Sequence, residues 1–318
     1  MLSRSLPRRL AVITATLATT ALVITGCGGG SSNSGSGSGS SGGGSSNNGI
    51  PTGALPSVSA DQSLAALVPD AVKSDGTITV GSDTTYAPSE FLAADGKTIV
   101  GFDVDLFSLV AQKLGLKAKF QTASFDSIIA GVGSGKYEAG VSSFTINSDR
   151  EAQATMVSYY SAGTQWATKK GNPSKVSPDS ACGKRIAVQK ATVQVDDITK
   201  RSSDCTSGGK KAITIDQYDA QSDATAAIVS GKDDAGLADS PVMAYAVQQT
   251  GGQLELLGDI YDSAPYGYVV PKDSTQFAQA LQGALKALMA DGTYQKVLQR
   301  WSVQAGAITD PQINPQAG

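Results

Sequence analysis

Residues 103–120 read DVDLFSLVAQKLGLKAKF and predict a helix followed directly by a strand. We expect Asp103 to cap the start of the helix, and Gly115 is typical of a helix end. The run from Lys117 to Phe120 then predicts a strand. Four apolar residues recur at the spacing of one helix face: Leu106, Leu109, Val110 and Leu114.

The same alternation of strand and helix extends over most of the chain. Short strands are predicted at residues 78–80, 139–142, 185–188, 213–218, 235–238 and 266–270, and helices at 126–129, 149–151, 224–229, 242–248, 274–289 and 294–301. Alternating elements of this kind favour a mostly parallel sheet covered by helices. The sequence therefore predicts an α/β protein with two lobes and a cleft between them.

The first 26 residues have the features of an export signal. Three arginines, at positions 4, 8 and 9, precede an uncharged run from Leu10 to Thr25 that is too short for a convincing membrane span. The run ends ITGC, which resembles the lipobox of bacterial lipoproteins with Cys27 as the lipidated residue. An ordinary signal peptide followed by an unrelated cysteine is the alternative. Residues 1–26 are thus predicted to be a lipoprotein signal peptide, and residues 27–62, rich in glycine and serine, a tether.

Composition excludes several classes of function. Removing residues 1–26 takes away three of the 25 lysines and arginines and none of the 28 acidic residues, which leaves a net charge of −6. Such a surface gives no electrostatic reason to bind nucleic acid. The chain has no histidine, so Ser-His-Asp hydrolases and histidine-ligated metal sites are excluded. We expect neither a metal nor a cofactor.

Two cysteines remain once Cys27 is assigned to a lipid. An even number of cysteines in an exported chain indicates a disulfide, here between Cys182 and Cys205. Two free thiols are the alternative.

Eight segments in order carry a resemblance to a known family. They are GSDTTYAPSEF (81–91), GFDVDL (101–106), FDSII (125–129) with GKYEA (135–139), SSFTINSDR (142–150) with YYSAG (159–163), GKRIAVQKAT (183–192), GKDDAGLAD (231–239), YGYVVPK (266–272), and DGTY (291–294) leading to Trp301. Together they resemble the family 3 solute-binding proteins of ABC importers for polar amino acids. The resemblance covers about residues 75–302.

The resemblance implies a periplasmic-binding-protein-like (type II) fold with a ligand cleft between two lobes. Lobe I would consist of residues 63–164 and 263–318, and lobe II of residues 165–262. The chain would cross between lobes near residues 163–166 and 261–267.

The resemblance also assigns roles in the cleft. Arg150 and Thr145, with the turn at Thr192 and Val193, would bind a ligand carboxylate, and Asp239 would bind its ammonium group. Alternatives are a surface role for Arg150 and a helix N-cap role for Asp239. Further contacts are assigned to Ser142 and Ser143 for the ammonium, Tyr86 and Phe125 as an apolar clamp or ordinary core, and Asp83 and Gln189 for side-chain specificity.

Three positions qualify these assignments. Gln189 stands where some relatives have a basic residue, which disfavours an acidic ligand. Ala191 stands where the family usually has glycine. Glu90 is expected near the mouth of the cleft, in a structural role.

The function implied is that of a monomeric, extracytoplasmic receptor anchored to the cell membrane by its lipid. It would capture a polar amino acid and deliver it to an ABC permease. The main alternative is an enzyme on the same fold, resembling the cyclohexadienyl and arogenate dehydratases, with Glu90 or Asp239 as the acid. A sensory module acting through another protein is a third possibility.

Overall fold

The computed structural model describes residues 49–315, which form two sheets and the helices that cover them. The strands are β1 (Thr77–Ser82), β2 (Thr85–Tyr86), β3 (Glu90–Leu92), β4 (Ile99–Val100), β5 (Lys117–Thr122), β6 (Ala139–Thr145), β7 (Ala154–Lys169), β8 (Arg185–Gln189), β9 (Thr214–Tyr218), β10 (Ala235–Asp239) and β11 (Leu254–Pro271). The helices are α1 (Gln62–Ala65), α2 (Asp70–Lys73), α3 (Phe102–Lys113), α4 (Phe125–Gly133), α5 (Ser148–Gln153), α6 (Val193–Ser207), α7 (Gln221–Ser230), α8 (Ser240–Gln249), α9 (Thr275–Ala290) and α10 (Thr293–Arg300).

The large sheet is mixed, whereas the sequence predicted a mostly parallel one. Its strand order is β5-β1-β6-β11-β7-β10-β8-β9. Pairing is parallel within β5-β1-β6 and within β10-β8-β9, and antiparallel wherever β7 or β11 takes part. Apolar periodicity predicts that a strand exists but not the direction of its partner, so the antiparallel pairing of β7 and β11 was not predicted.

Strands β7 and β11 are the longest in the described chain, with 16 and 18 residues. The predicted crossings at residues 163–166 and 261–267 both lie inside them. Their pairing register shifts between Leu257 and Tyr261 and again before Ala264. The α/β prediction is confirmed, and the arrangement fits a two-lobed fold joined through these strands. The lobe boundaries stay predictions.

Helix α3 packs its predicted face into the main core. Leu106, Leu109 and Val110 are fully buried there, against Phe277 and Leu281 of α9 among others. Burying one such side chain contributes about 1.5–3 kcal/mol. This packing fixes the position of α3, and therefore also the position of the residues at its start, behind β6.

Asp103 does not cap α3, contrary to the prediction. The helix begins at Phe102 after Gly101, and the Asp103 side chain is fully buried. It accepts hydrogen bonds from Tyr159 and Ser143 instead. Those partners lie 40 or more positions away along the chain, so local sequence could not reveal them.

The amino-terminal part of the described chain lies against the body. Arg300 donates hydrogen bonds to the backbone carbonyls of Pro51, Thr52 and Gly53, and Ile50 packs on the main core. Residues 50–53 therefore contact Arg300 and the main core. The tether boundary at residue 62 stays a prediction. The predicted signal peptide, Cys27 and the tether up to residue 48 lie outside the described residues.

The predicted disulfide is confirmed. Cys182 and Cys205 are bonded, with their Cα atoms 5.6 Å apart, and Cys205 lies in α6. The bond is confined to the half of the sheet that contains β8, β9 and β10. Among residues 49–315, no helix combines the length and apolar character needed to span a membrane.

Candidate ligand-binding site

A small cavity lies where β1, β6, β8 and β10 end. The carboxyl ends of parallel strands are a common place for ligands in α/β folds. The structure brings all the residues assigned to the ligand together in its wall and adds Gln194: Asp83, Tyr86, Phe125, Ser142, Ser143, Thr145, Arg150, Gln189, Thr192, Val193, Gln194 and Asp239. Their roles in binding stay predictions.

Arg150 lies at one end of this cavity and is 8% exposed. Asn147 caps α5 by accepting the Arg150 backbone N–H at 2.9 Å, which fixes the start of the helix. The guanidinium carbon lies 5.3 Å from the ring centre of Phe125 and 5.6 Å from that of Phe144, and these rings stack on each other. A cation held by aromatic faces in this way is oriented as well as stabilised.

The Arg150 guanidinium links two distant segments. Nη1 donates to the carbonyl oxygen of Thr145 at 2.7 Å, and Nη2 donates to that of Ala191 at 3.1 Å. Burial lowers the pKa of Arg150, and the Asp239 charge opposes that shift. An arginine still keeps its charge at any ordinary pH, so a buried positive charge faces the cavity.

Asp239 ends β10 and provides the opposite charge. It stands at the N-cap position of α8, but its side chain makes no capping hydrogen bond. The carboxylate instead accepts from the Tyr86 hydroxyl at 2.9 Å and from Gln194 Nε2 at 2.8 Å. Burial raises the pKa of Asp239, and these hydrogen bonds oppose the shift. The side chain therefore faces the cavity rather than its own helix.

A second carboxylate, Asp83, lies at the end of β1. It accepts hydrogen bonds from Gln189 Nε2 and, at 2.8 Å, from the Thr85 hydroxyl. Gln189 Nε2 also donates to the carbonyl oxygen of Asp219 at 3.0 Å, which fixes the direction of the amide. Burial raises the pKa of Asp83. The wall thus contains two carboxylates and one guanidinium.

Ser142 and Ser143 occupy an irregular part of β6. Gly267 pairs with Phe144 and Val269 with Gly140, so residues 141–143 lie opposite a single residue of β11. Ser143 has a backbone φ of 50°, in the left-handed region that is costly for residues other than glycine. Glu90, expected at the mouth of the cleft, is fully buried and accepts the Ser142 hydroxyl at 2.9 Å.

The amino-terminal end of α6 forms the remaining wall. Thr192 precedes the helix, and its hydroxyl donates to the carbonyl oxygen of Gln189 at 2.8 Å. Ala191 has a φ of 60°, the left-handed conformation that favours glycine. Gln194 was not among the predicted residues, although it follows Thr192 and Val193 in the first turn of α6. Its position in that turn, next to two predicted ligand-binding residues, could have indicated that it lines the cavity.

The bacterial extracellular solute-binding proteins, family 3, match this chain over residues 78–304. The chain is 35% identical over 254 residues to the arginine-binding protein ArgT of Corynebacterium glutamicum, covering 80% of this chain and 83% of that protein.

Two solved structures are also similar. An ancestral arginine-binding protein bound to arginine has a TM-score of 0.66 and 32% identity, covering 71% of this chain and 98% of the other. The ancestral amino acid-binding protein AncCDT-1, a precursor of cyclohexadienyl dehydratase, has a TM-score of 0.66 and 27% identity, covering 74% of this chain and 99% of the other. From the match over residues 78–304 and the resemblance to ArgT, the chain belongs to the bacterial extracellular solute-binding proteins, family 3.

Proposed function

We propose that this protein binds a free amino acid with a cationic side chain, of the kind represented by L-arginine, and delivers it to an ABC permease. The observation that carries the proposal is the convergence of one buried guanidinium and two carboxylates on one small cavity. An amino acid of this kind carries one negative and two positive charges, and burial requires a partner for each.

The guanidinium of Arg150 would receive the ligand carboxylate. A guanidinium has five N–H groups in a rigid fork, and two of them donate to the carbonyls of Thr145 and Ala191. The others can pair with a carboxylate in a bidentate geometry. The backbone N–H groups at the start of α6, beside Thr192 and Val193, add a second anion-binding element.

Asp239 would receive the ligand ammonium group. Its carboxylate is held in place by Tyr86 and Gln194, so little side-chain entropy is lost when a ligand binds. Asp83 would receive the cationic end of the ligand side chain. Gln189 is neutral and already donates to Asp83, so nothing in this pair would favour an acidic ligand.

The two similar proteins named for arginine support a cationic ligand. Both ArgT and the ancestral arginine-binding protein exceed 30% identity to this chain. The excess of carboxylates in the cavity independently favours a ligand with a net positive charge.

Binding would stabilise a closed arrangement of the two lobes. Hydrogen bonds already join residues of the predicted lobe I to residues of the predicted lobe II: Arg150 to Ala191, Gln189 to Asp83, Tyr86 to Asp239, and Gln221 to Thr85. A ligand that contacts both sides shifts the population toward closure by its differential affinity.

The predicted signal peptide and lipobox support a location outside the cytoplasm. Cleavage before Cys27 and lipidation of that residue would anchor a monomeric receptor outside the cytoplasm, beside its permease. Incorporation of labelled palmitate that is abolished in Cys27→Ala tests the anchor.

We propose a binding role rather than catalysis. Glu90, one of the two acids available to a dehydratase, is buried behind Ser142 and is not part of the cavity wall among the described residues. Mass spectrometry of prephenate and arogenate after incubation with the protein tests this, and conversion of either substrate would contradict the proposal.

Calorimetric titration with L-arginine, L-lysine, L-glutamine and L-glutamate tests the ligand class. We expect the two cationic amino acids to bind most tightly. Preferential binding of L-glutamate would contradict the assignment of Asp83.

A further inference from the structure

Two carboxyl groups lie buried behind the cavity wall, and the proposed binding mode uses neither of them. Glu90 in β3 and Asp103 in α3 are both completely inaccessible to solvent. Each contacts a serine that lines the cavity: Glu90 contacts Ser142 and Asp103 contacts Ser143. The pair therefore forms a layer directly beneath the ligand site.

Asp103 accepts more hydrogen bonds than Glu90 does. Its Oδ2 accepts the Tyr159 hydroxyl at 2.6 Å, the Ser143 backbone N–H at 3.1 Å and the Ser143 hydroxyl at 3.3 Å. Among residues 49–315, Glu90 Oε1 accepts one hydrogen bond, from the Ser142 hydroxyl at 2.9 Å. Hydrogen bonds to a carboxylate favour its ionised form, so Asp103 is better suited than Glu90 to carry a negative charge.

The second oxygen of each carboxyl group, Glu90 Oε2 and Asp103 Oδ1, is buried. No N–H or O–H group of residues 49–315 donates a hydrogen bond to either oxygen. Each carboxyl group shifts the pKa of the other, as neighbouring groups do. A hydrogen bond between them would satisfy both oxygens and requires a proton on one group, since two carboxylates offer only acceptors.

The surroundings of the pair are acidic and phenolic. Titratable groups that interact with Glu90 or Asp103 from neighbouring elements are Asp83, Tyr86, Tyr159, Tyr160 and Tyr268. Within the described chain, neither carboxyl group forms an ion pair. Two unpaired buried charges side by side would be very costly.

Burial and the neighbouring carboxyl group raise both pKa values. The pKa of Glu90 rises well above its usual value, chiefly through burial and then through Asp103. Burial raises the pKa of Asp103 to about 6, and the hydrogen bond from Tyr159 opposes that rise. Both directions agree with the geometry, which favours one retained proton, on Glu90 rather than on Asp103.

We propose that Glu90 carries a proton at neutral pH, donates it in a hydrogen bond to Asp103, and acts as a positioning residue for the ligand site. The proposal deepens the amino-acid-binding function and rests on it. Asp103 holds Ser143 in its left-handed conformation, and Glu90 holds the Ser142 hydroxyl, which in turn accepts the Asp83 backbone N–H at 3.0 Å. The acid pair thus fixes three residues of the cavity wall.

Infrared spectroscopy of the purified protein tests the proton without any ligand. The spectrum of the wild-type protein at neutral pH should contain a protonated-carboxyl band that is absent from Glu90→Gln and retained in Asp103→Asn. Glu255→Gln, outside this pair, is the matched control and should keep the band. A folded wild-type protein whose spectrum does not differ from that of Glu90→Gln would overturn the proposal.

Titration with L-arginine at several pH values tests the positioning role. The amide of Glu90→Gln donates as the protonated acid does, so affinity at neutral pH should stay within about threefold of wild type. In wild type, deprotonation of Glu90 at alkaline pH should lower the affinity further than deprotonation of the ligand ammonium group alone. Glu90→Gln should show only the loss that comes from the ligand. Asp103→Asn removes the charged acceptor and should lose about tenfold or more. A loss in Glu90→Gln as large as that in Asp103→Asn would contradict the proposal. If L-arginine does not bind wild type at all, the ligand assignment fails, and the infrared result alone decides the protonation.

Discussion

The Tyr86 hydroxyl donates a 2.9 Å hydrogen bond to the Asp239 carboxylate, joining two residues 153 positions apart in the sequence. The same hydroxyl accepts the Asp239 backbone N–H at 3.2 Å. Both residues are buried and both line the cavity. This reciprocal contact holds the carboxylate toward the ligand site and ties the end of β10 to the short strand β2.

The raised pKa of Asp239 predicts a pH dependence of binding. Burial makes this carboxylate take up a proton at a higher pH than an ordinary aspartate, and only the ionised form attracts a ligand ammonium group. The affinity for L-arginine should therefore fall as pH decreases below neutral. Asp239→Asn should bind more weakly at neutral pH and show a shallower dependence, measured by calorimetry. Asp310→Asn, which changes an exposed residue, is the control and should behave as wild type. If the affinity of Asp239→Asn depended on pH as steeply as that of wild type, Asp239 would not be the group that binds the ligand ammonium.

Arg150→Ala should cost about 2–3 kcal/mol of L-arginine affinity, since it removes a buried charged hydrogen-bond donor. That loss corresponds to about 30- to 150-fold in Kd. Arg185→Ala is the control, because that side chain is 47% exposed and pairs with Asp216 on the outer part of the sheet. Unchanged affinity in a folded Arg150→Ala protein would refute the carboxylate assignment.

Asp83→Asn should change selectivity more than overall binding. It keeps the shape of the side chain and removes the charge proposed to meet a cationic ligand side chain. Affinity for L-arginine and L-lysine should fall about tenfold or more, while affinity for L-glutamine should change little. Competition titrations measure the ratio of the affinities for the cationic amino acids and for L-glutamine, with Asp310→Asn as the charge-matched control. An equal loss for all three amino acids would indicate a purely structural role.

Ala191→Gly should stabilise the protein. The left-handed backbone at Ala191 costs an L-residue about 1–2 kcal/mol, and glycine relieves that cost while adding entropy to the unfolded chain. A net gain of up to about 1 kcal/mol is expected in thermal unfolding, with L-arginine affinity retained because the carbonyl that meets Arg150 remains. Ala226→Gly, at an exposed position inside α7, should be destabilising. A loss of stability in Ala191→Gly would contradict the strain at this turn.

The residues of the cavity wall were assigned from the resemblance to the family 3 solute-binding proteins, and the structure places them around one cavity. Asp83 follows β1 and Asp239 ends β10, where the carboxyl ends of strands commonly meet ligands, whereas Arg150 lies in α5. The α/β class was readable from the alternation of strands and helices. Gln194 was missed because one helical turn offers several polar residues, and only the packing selects one.

What local sequence could not reveal were contacts between distant segments. Asp103 was expected to cap its own helix, since aspartate at a helix start usually does so. Its actual partners, Tyr159 and Ser143, are brought to it by β7 and β6. Likewise, the long strands β7 and β11 change partners along their length, and the pattern of apolar residues in the sequence does not predict that change.

The most direct test of the account is a calorimetric titration of L-arginine into the purified protein. The account predicts saturable binding of one L-arginine per chain, with L-lysine competing and L-glutamate not. A folded protein that binds neither L-arginine nor L-lysine, or that prefers L-glutamate, would contradict it.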